Sequence, residues 1–431
     1  MFGAPPRRSV DPEVRRRRRR IGLLVTAIVV VLLLAVPGGY VWWALTAELP
    51  SPVVETGRPS VTVPAAATPT LPSSGASAIA VAGADEYLGA GASGIWATSG
   101  TDEQRPIASI AKLITALVIL DRHPLADASD PGPTITFSKA DHDLYDQYYV
   151  RGATIAAMPT GSSMSLHDAL ATMLIPSASN YAEAVSTWAF GSQGAFRGAA
   201  QRWLAANGLN GTTIVEPTGL DARNVSTPSD LIALGKLAAA NPTIASIAAT
   251  SSLTLPGPGP MANTNGLLGS NGITGLKTGN LGDGTYNLLF TASVPVGTAE
   301  PLSVTGVLLG GLTRANVDRD TMALIDSIRA GFHEVTVAER DQQVGTITTP
   351  WGASAQIVIA DYATIHTWSD TPIVVEMTTT TPRTFEDGEE VGSITWTAGP
   401  NTVTVPVEVA GTIAPPTDEW RLTHPQQLGG E

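Results

Sequence analysis

The chain has no cysteine among its 431 residues. Disulfides, zinc–thiolate sites and iron–sulfur clusters are thereby excluded, although the cellular compartment is not decided by that absence. Histidine is scarce: His123, His142, His167, His333, His366 and His424 are scattered, with no metal-ligand spacing and no nucleophile-elbow motif beside them. Lysine is rarer still, with only Lys112, Lys139, Lys236 and Lys277. Net charge is −13, but the first 20 residues hold eight arginines against Asp11 and Glu13, so this end is +6 and the remainder −19. An acidic body argues against nucleic-acid binding and suits a domain that stays dispersed near an anionic surface.

What is present begins with six consecutive arginines, Arg15 to Arg20, running directly into an apolar stretch over residues 21–45. About 25 residues at ~1.5 Å each suffice to cross a bilayer of ~30 Å. Arginines on the near side hold that end in the cytoplasm, and Tyr40, Trp42 and Trp43 stand where an interfacial aromatic belt belongs. A cleaved signal peptide is the alternative. The apolar core is long for one, and the best small-residue site, before Glu48, has Leu45 at its −3 position. An uncleaved single-pass anchor is the favoured reading, with the N-terminus cytoplasmic and everything after the span extracytoplasmic. Residues 46–77 are rich in Pro, Ser, Thr, Ala and Val and read as an extended linker.

From about residue 78 the texture becomes globular. Ala78 to Val81 and Gly94 to Thr98 suggest a short hairpin, and residues 134–140 another strand and turn. Leu166 to Leu174 reads as a helix capped by Ser165, with further helices over 180–190, 195–207, 229–240 and 314–332. Residues 287–294 and 302–309 alternate and read as strands. Strands adjacent in sequence, with helices before and after, imply an antiparallel sheet under helical cover rather than a βαβ array. Beyond 336, runs at 354–359, 373–377, 391–396 and 402–409 suggest a small all-β domain over 336–413, followed by a polar tail, 414–431.

The chemistry is expected at Ser109-Ile110-Ala111-Lys112. Ile110, Leu113, Ile114, Leu117 and Val118 recur at helical spacing, and Pro106 stands where a helix can begin. Ser109 and Lys112 then share a face about one turn apart. A serine hydroxyl needs a base, and a lysine partly neutralised by burial or by a second cation supplies one. Spacing alone leaves Ser-x-x-Lys a weak signal, since an exposed serine and lysine on a helix are the commoner case. Here the pair opens a strongly apolar helix, where an unpartnered charge is costly. The chain also carries Lys277-Thr278-Gly279 before a predicted strand, and that triplet is the known companion of Ser-x-x-Lys in penicillin-interacting serine enzymes.

These motifs, together with Arg105-Pro106-Ile107-Ala108-Ser109, Met173 to Ser177, Glu216 to Asp221, Ser226 to Leu231, Asn263 to Gly269 and Tyr286-Asn287-Leu288, make residues 78–335 resemble the serine D-alanyl-D-alanine carboxypeptidases, the low-molecular-mass penicillin-binding proteins. The resemblance implies an α/β (α+β) fold of the penicillin-binding/β-lactamase-like kind. One departure stands out. The family's Ser-x-Asn corresponds here to Ser177-Ala178-Ser179, with Asn180 one residue later. By resemblance, Ser109 is the nucleophile, Lys112 its base and Ser177 a proton relay. Lys277 and Thr278 hold the substrate carboxylate, while Ser179 or Asn180 and the Gly279-Asn280 backbone hold the peptide. The implied partners are peptidoglycan stem peptides, with β-lactams as covalent inhibitors; no metal or cofactor is implied. A catalytically impaired binding protein of the same fold, a β-lactamase and a structural adhesin remain as alternatives. Ser179 in place of asparagine favours the first, the missing Ser-Asp-Asn counts against the second, and the adhesin leaves the serine motifs unexplained.

Overall fold

The computed structural model describes residues 12–429. The central sheet is five-stranded and wholly antiparallel, in the order Ile273–Gly279, Tyr286–Val294, Leu302–Gly311, Ala76–Ala82 and Ala97–Ser99. The period-2 rule explains its two faces. Ala78, Ala80, Leu276, Leu289 and Val307 point to one side, into a core built with the helices over residues 111–249. Ile79, Val81, Leu288, Phe290 and Val304 point to the other, against Val317, Leu324, Ile325 and Ile328 of the helix Arg314–Gly331. Gly306 is required in this sheet because a Cβ there would lie 2.3 Å from the Phe290 ring.

Helix starts follow cap chemistry. Ser165, Thr227 and Thr313 each accept a hydrogen bond from the backbone N–H three residues on, opening Leu166–Leu174, Pro228–Ala240 and Arg314–Gly331. Residues 134–140 hold more than the expected strand and turn: Thr134–Thr136 is the strand, and Ser138 with Asp141 forms a capping box that starts a helix, Lys139–Tyr149. That helix is polar over much of its surface, so apolar periodicity did not reveal it. Pro106 does not begin the serine helix. It pairs with Val225 in a two-residue ladder, and the helical backbone starts as a 3₁₀ turn, Ala108–Ile110, before Ala111–Arg122.

The C-terminal part is a six-stranded antiparallel sheet in the order Val53–Thr56, Gln343–Thr348, Ser354–Ile359, Asn401–Ala410, Glu390–Ala398, Ile373–Thr379, packed around Trp396, Ile357, Ile394 and Val407. Its outer strand comes from the stretch expected to be an irregular linker. Val53 to Thr56 pairs with residues 345–348, and the Ala67 and Thr70 N–H groups donate to Ser369 and Ser327. The chain after the N-terminal helix is thus laid along the folded body.

Pro12–Thr46 is a single 35-residue helix whose most apolar window has a mean hydropathy of 2.8 and is unburied. It is long and apolar enough to cross a membrane. The expected polar tail forms a short helix, Asp418–Thr423, against its far end. There Arg421 donates to the Ala44 and Ala47 carbonyls, at 3.3 and 3.0 Å, and Tyr40 to the Leu422 carbonyl at 2.6 Å. Ala44 lies in the last turn of the long helix and Ala47 just past its end, where carbonyls lack intrahelical donors and attract cations. Of the expected basic segment, residues 1–11 lie outside the described residues.

Candidate active site

Ser109 sits in the 3₁₀ turn, and Lys112 in the first α-turn after it. The Lys112 ammonium nitrogen is 3.0 Å from Ser109 Oγ and 2.6 Å from the Thr218 carbonyl. Ala108, just before the serine, takes a positive φ of 50°, an uncommon conformation for a residue with a Cβ. Neighbouring backbone clamps this turn. Ile107 N–H donates to the Asn224 carbonyl, and Asn287 donates to the Pro106 carbonyl while accepting from Gly310 N–H.

Lys112 is completely buried. Burial pulls its pKa down to about 7, against a smaller upward pull from Glu216. Glu216 is itself committed, accepting from the N–H groups of Thr218, Gly219 and Asp221 and from the Asn224 amide. It fastens the loop whose Thr218 carbonyl receives Lys112. Thr115 adds a second fastening by donating to the Pro217 carbonyl at 2.8 Å.

The strand Ile273–Gly279 brings Lys277 and Thr278 to the same place. A Cβ added at Gly279 would lie 2.7 Å from Ile107 O and 3.0 Å from Ser109 N, so only glycine admits this approach. Asn280 follows, exposed. Lys277 is 2% exposed and donates to Thr264 Oγ1 at 3.3 Å and to the Thr278 carbonyl at 3.1 Å. Burial, with the charges of Lys112 and Arg314, pushes its pKa well below the usual lysine range. An incoming carboxylate would offset exactly this concentration of positive charge.

Ser177 is linked to this strand through Thr264. The Thr264 N–H donates to the Ile175 carbonyl, and its hydroxyl accepts from Thr278 Oγ1 at 2.7 Å. Ser177 has φ 71°, and its buried hydroxyl oxygen has no hydrogen-bond partner among the described residues. A strained serine with an unsatisfied hydroxyl needs an explanation that packing does not supply. Ser179 opens the helix Ser179–Phe190, is buried, and donates its N–H to the Thr154 carbonyl. Asn180 is turned to other work. Its amide accepts from Ala156 N–H at 3.1 Å and donates to Ala156 O at 2.8 Å, spending both ends on one residue's backbone. Of the two residues offered for holding the peptide, Ser179 and Asn180, the second thus has both ends of its amide engaged by Ala156.

Four participants escaped the motif reading: Glu216, Thr218, Thr264 and Arg314. The first three lie in stretches that were legible as blocks, but a backbone carbonyl as ligand and a hydroxyl as bridge have no signature of spacing. Arg314 stands at the first turn of its helix, its guanidinium 5.7 Å over the Tyr286 ring, with Nη1 buried and without a hydrogen-bond partner among the described residues. It comes to Lys277 through the sheet fold, not through sequence.

Residues 88–300 match the family model described as D-alanyl-D-alanine carboxypeptidase. The D-alanyl-D-alanine endopeptidase of Escherichia coli (strain K12) is 35% identical over 134 residues, 31% of this chain and 39% of that protein. The D-alanyl-D-alanine endopeptidase of Pseudomonas aeruginosa is 36% identical over 129 residues, 30% of this chain and 38% of that protein. The chain thus spans about two fifths of the length of these curated relatives. Among solved structures, penicillin binding protein 6B from Escherichia coli superposes with a TM-score of 0.54 at 20% identity, covering 80% of this chain and 98% of that one. Penicillin binding protein 5 from Haemophilus influenzae gives 0.51 at 16% identity, covering 83% and 99%. At such identities the likeness is one of fold. The matched residues 88–300 place that part of the chain in the D-alanyl-D-alanine carboxypeptidase family.

Proposed function

We propose that this chain is a serine D-alanyl-D-alanine carboxypeptidase that removes the terminal D-alanine of peptidoglycan stem peptides. The observation that carries the reading is the 3.0 Å contact between Ser109 Oγ and a buried lysine whose pKa lies at about 7. Such a lysine is substantially neutral at physiological pH, as a general base must be. Ser109 Oγ attacks the carbonyl joining the two D-alanines, and Lys112 takes the hydroxyl proton. The N–H groups of Ser109 and Asn280 receive the oxyanion as the C=O bond opens. The C–N bond then breaks, with the leaving nitrogen protonated by way of Ser177. Lys277 and Thr278, with Arg314 behind them, hold the free carboxylate of the departing residue. Water hydrolyses the ester and restores Ser109.

Intact mass after exposure of the protein to benzylpenicillin tests the reading. One adduct is expected on the native protein and none on Ser109→Ala. A folded native protein that takes no adduct overturns it and leaves a binding protein of the same fold. The acylation rate is expected to rise with pH through a midpoint near Lys112's pKa of about 7, because only the neutral amine accepts the serine proton. Stopped-flow acylation between pH 5 and 9 checks this; a flat profile removes Lys112 as base.

A second activity is favoured by the names of the curated relatives, which are endopeptidases. The same acyl-enzyme chemistry would then cleave a cross-linked dimer, and release of monomer from cross-linked peptides separates the two. For location, we infer an uncleaved membrane anchor over residues 21–45, cytoplasmic at its N-terminus. The arginine run before the span supports that orientation, and the Arg421 contacts with Ala44 and Ala47 support a C-terminal sheet held close to the bilayer.

A further inference from the structure

The unbroken helix Pro12–Thr46 carries more than an apolar span. Arg15 to Arg20 lie within it and run straight into Ile21, with no turn between charge and hydrocarbon. Successive residues of an α-helix stand about 100° apart around its axis. Six in a row therefore cannot form a stripe. Arg15, Arg18 and Arg19 fall on one side and Arg16, Arg17 and Arg20 on the other, so the run encircles the helix. At ~1.5 Å per residue the ring is about 8 Å deep, close to the thickness of the headgroup layer flanking a hydrocarbon core of ~30 Å. All six side chains are exposed, and none enters a salt bridge among the described residues. Glu13, in the first turn, is the helix's one carboxylate, which leaves five positive charges in surplus.

A charged ring differs from a charged face in what it can bind. A folded partner or a nucleic-acid strand approaches from one side and leaves the opposite arginines in water. Lipid headgroups reach all sides at one depth. We propose that Arg15 to Arg20 form a collar that gathers anionic phospholipids of the cytoplasmic leaflet around the anchor. The inference rests on the anchor reading above, because the ring meets headgroups only where the apolar stretch spans the bilayer. Guanidiniums pair with phosphate oxygens through parallel N–H donors. Every phospholipid carries a phosphate, so the preference for anionic over zwitterionic lipid comes from net headgroup charge.

The test reconstitutes the full chain into phosphatidylcholine bilayers that carry spin-labelled phosphatidylglycerol or spin-labelled phosphatidylcholine. Electron spin resonance separates lipid held at the helix from bulk lipid. Phosphatidylglycerol is expected to be held about fivefold more strongly, and the difference to fade in about 1 M salt. Arg15→Gln/Arg18→Gln/Arg19→Gln and Arg16→Gln/Arg17→Gln/Arg20→Gln are each expected to lower the preference to roughly twofold. Glutamine at all six positions should abolish it, and lysine at all six should retain most of it. Equal retention of both lipids by the native chain overturns the collar. So does a loss confined to one triplet, which marks a one-sided partner, or a preference that survives six glutamines. Failure of the anchor reading looks different, since neither lipid is then held, and it removes the collar with it. Far-ultraviolet circular dichroism reports that each variant is folded.

Discussion

Lys112→Met is expected to slow acylation of Ser109 severely while making the folded protein less sensitive to pH. The loss of rate should be roughly 10²- to 10⁴-fold, the range for a removed general base. The stability effect follows from the lowered lysine pKa. In the unfolded chain this amine holds its proton to about pH 10.4, but in the folded protein only to about 7. Between those values the unfolded state binds more protons, so native stability rises with pH. Below pH 7 the cost of burying the charge is fully present; by pH 10 it has been relieved. Methionine fills similar space and does not titrate, so the native protein should gain stability relative to the variant between pH 6 and pH 9. Urea unfolding of both proteins at the two pH values, beside penicillin acylation, checks this. Parallel pH slopes would mean that burial does not hold the amine's pKa down. Full acylation by the variant would remove Lys112 from the mechanism.

Gly219→Ala is expected to be the most damaging single-methyl change near the site. Gly219 has φ 83°, and a Cβ there would lie 1.9 Å from Ala108 O and 2.4 Å from Ala108 C. The atoms it meets are backbone, which no rotamer change moves aside. An alanine at positive φ already costs about 1 kcal/mol, and displacing the turn before Ser109 should bring the total to roughly 3 kcal/mol or more. Because Gly219 follows Thr218, whose carbonyl receives Lys112, the same change should also separate base from nucleophile. Chemical unfolding and penicillin acylation are the readouts. A variant within ~0.5 kcal/mol of native stability, acylating normally, would mean that this loop does not brace the serine.

The family motifs were legible because each packs its chemistry into a few consecutive residues. Ser109 and Lys112 are neighbours on one turn, and Lys277 to Gly279 lie on one strand, so local geometry alone brings the paired groups together. The apolar N-terminal helix was legible for a similar reason, since span length and flanking charge are both local. The helix Lys139–Tyr149 was missed because a capping box and polar residues carry it rather than an apolar stripe. Val53–Thr56 was read as linker because an edge strand with three of its four residues exposed has little alternation to display.

The sequence by itself determined the Ser109–Lys112 pair on one turn, the Lys277-Thr278-Gly279 triplet on one strand, the antiparallel sheet under helices and the long apolar N-terminal helix. Only the tertiary structure decided how far the two lysines are taken out of water, because burial depends on what packs over a residue rather than on its neighbours in the chain. It also decided that Asn180 is spent on Ala156, that the Thr218 carbonyl receives Lys112, and that Thr264 ties the Ser177 turn to Lys277 and Thr278. Each of these joins residues far apart in sequence through a backbone group or a short polar side chain. Such groups occur throughout any chain, and only closure of the fold selects the few that meet.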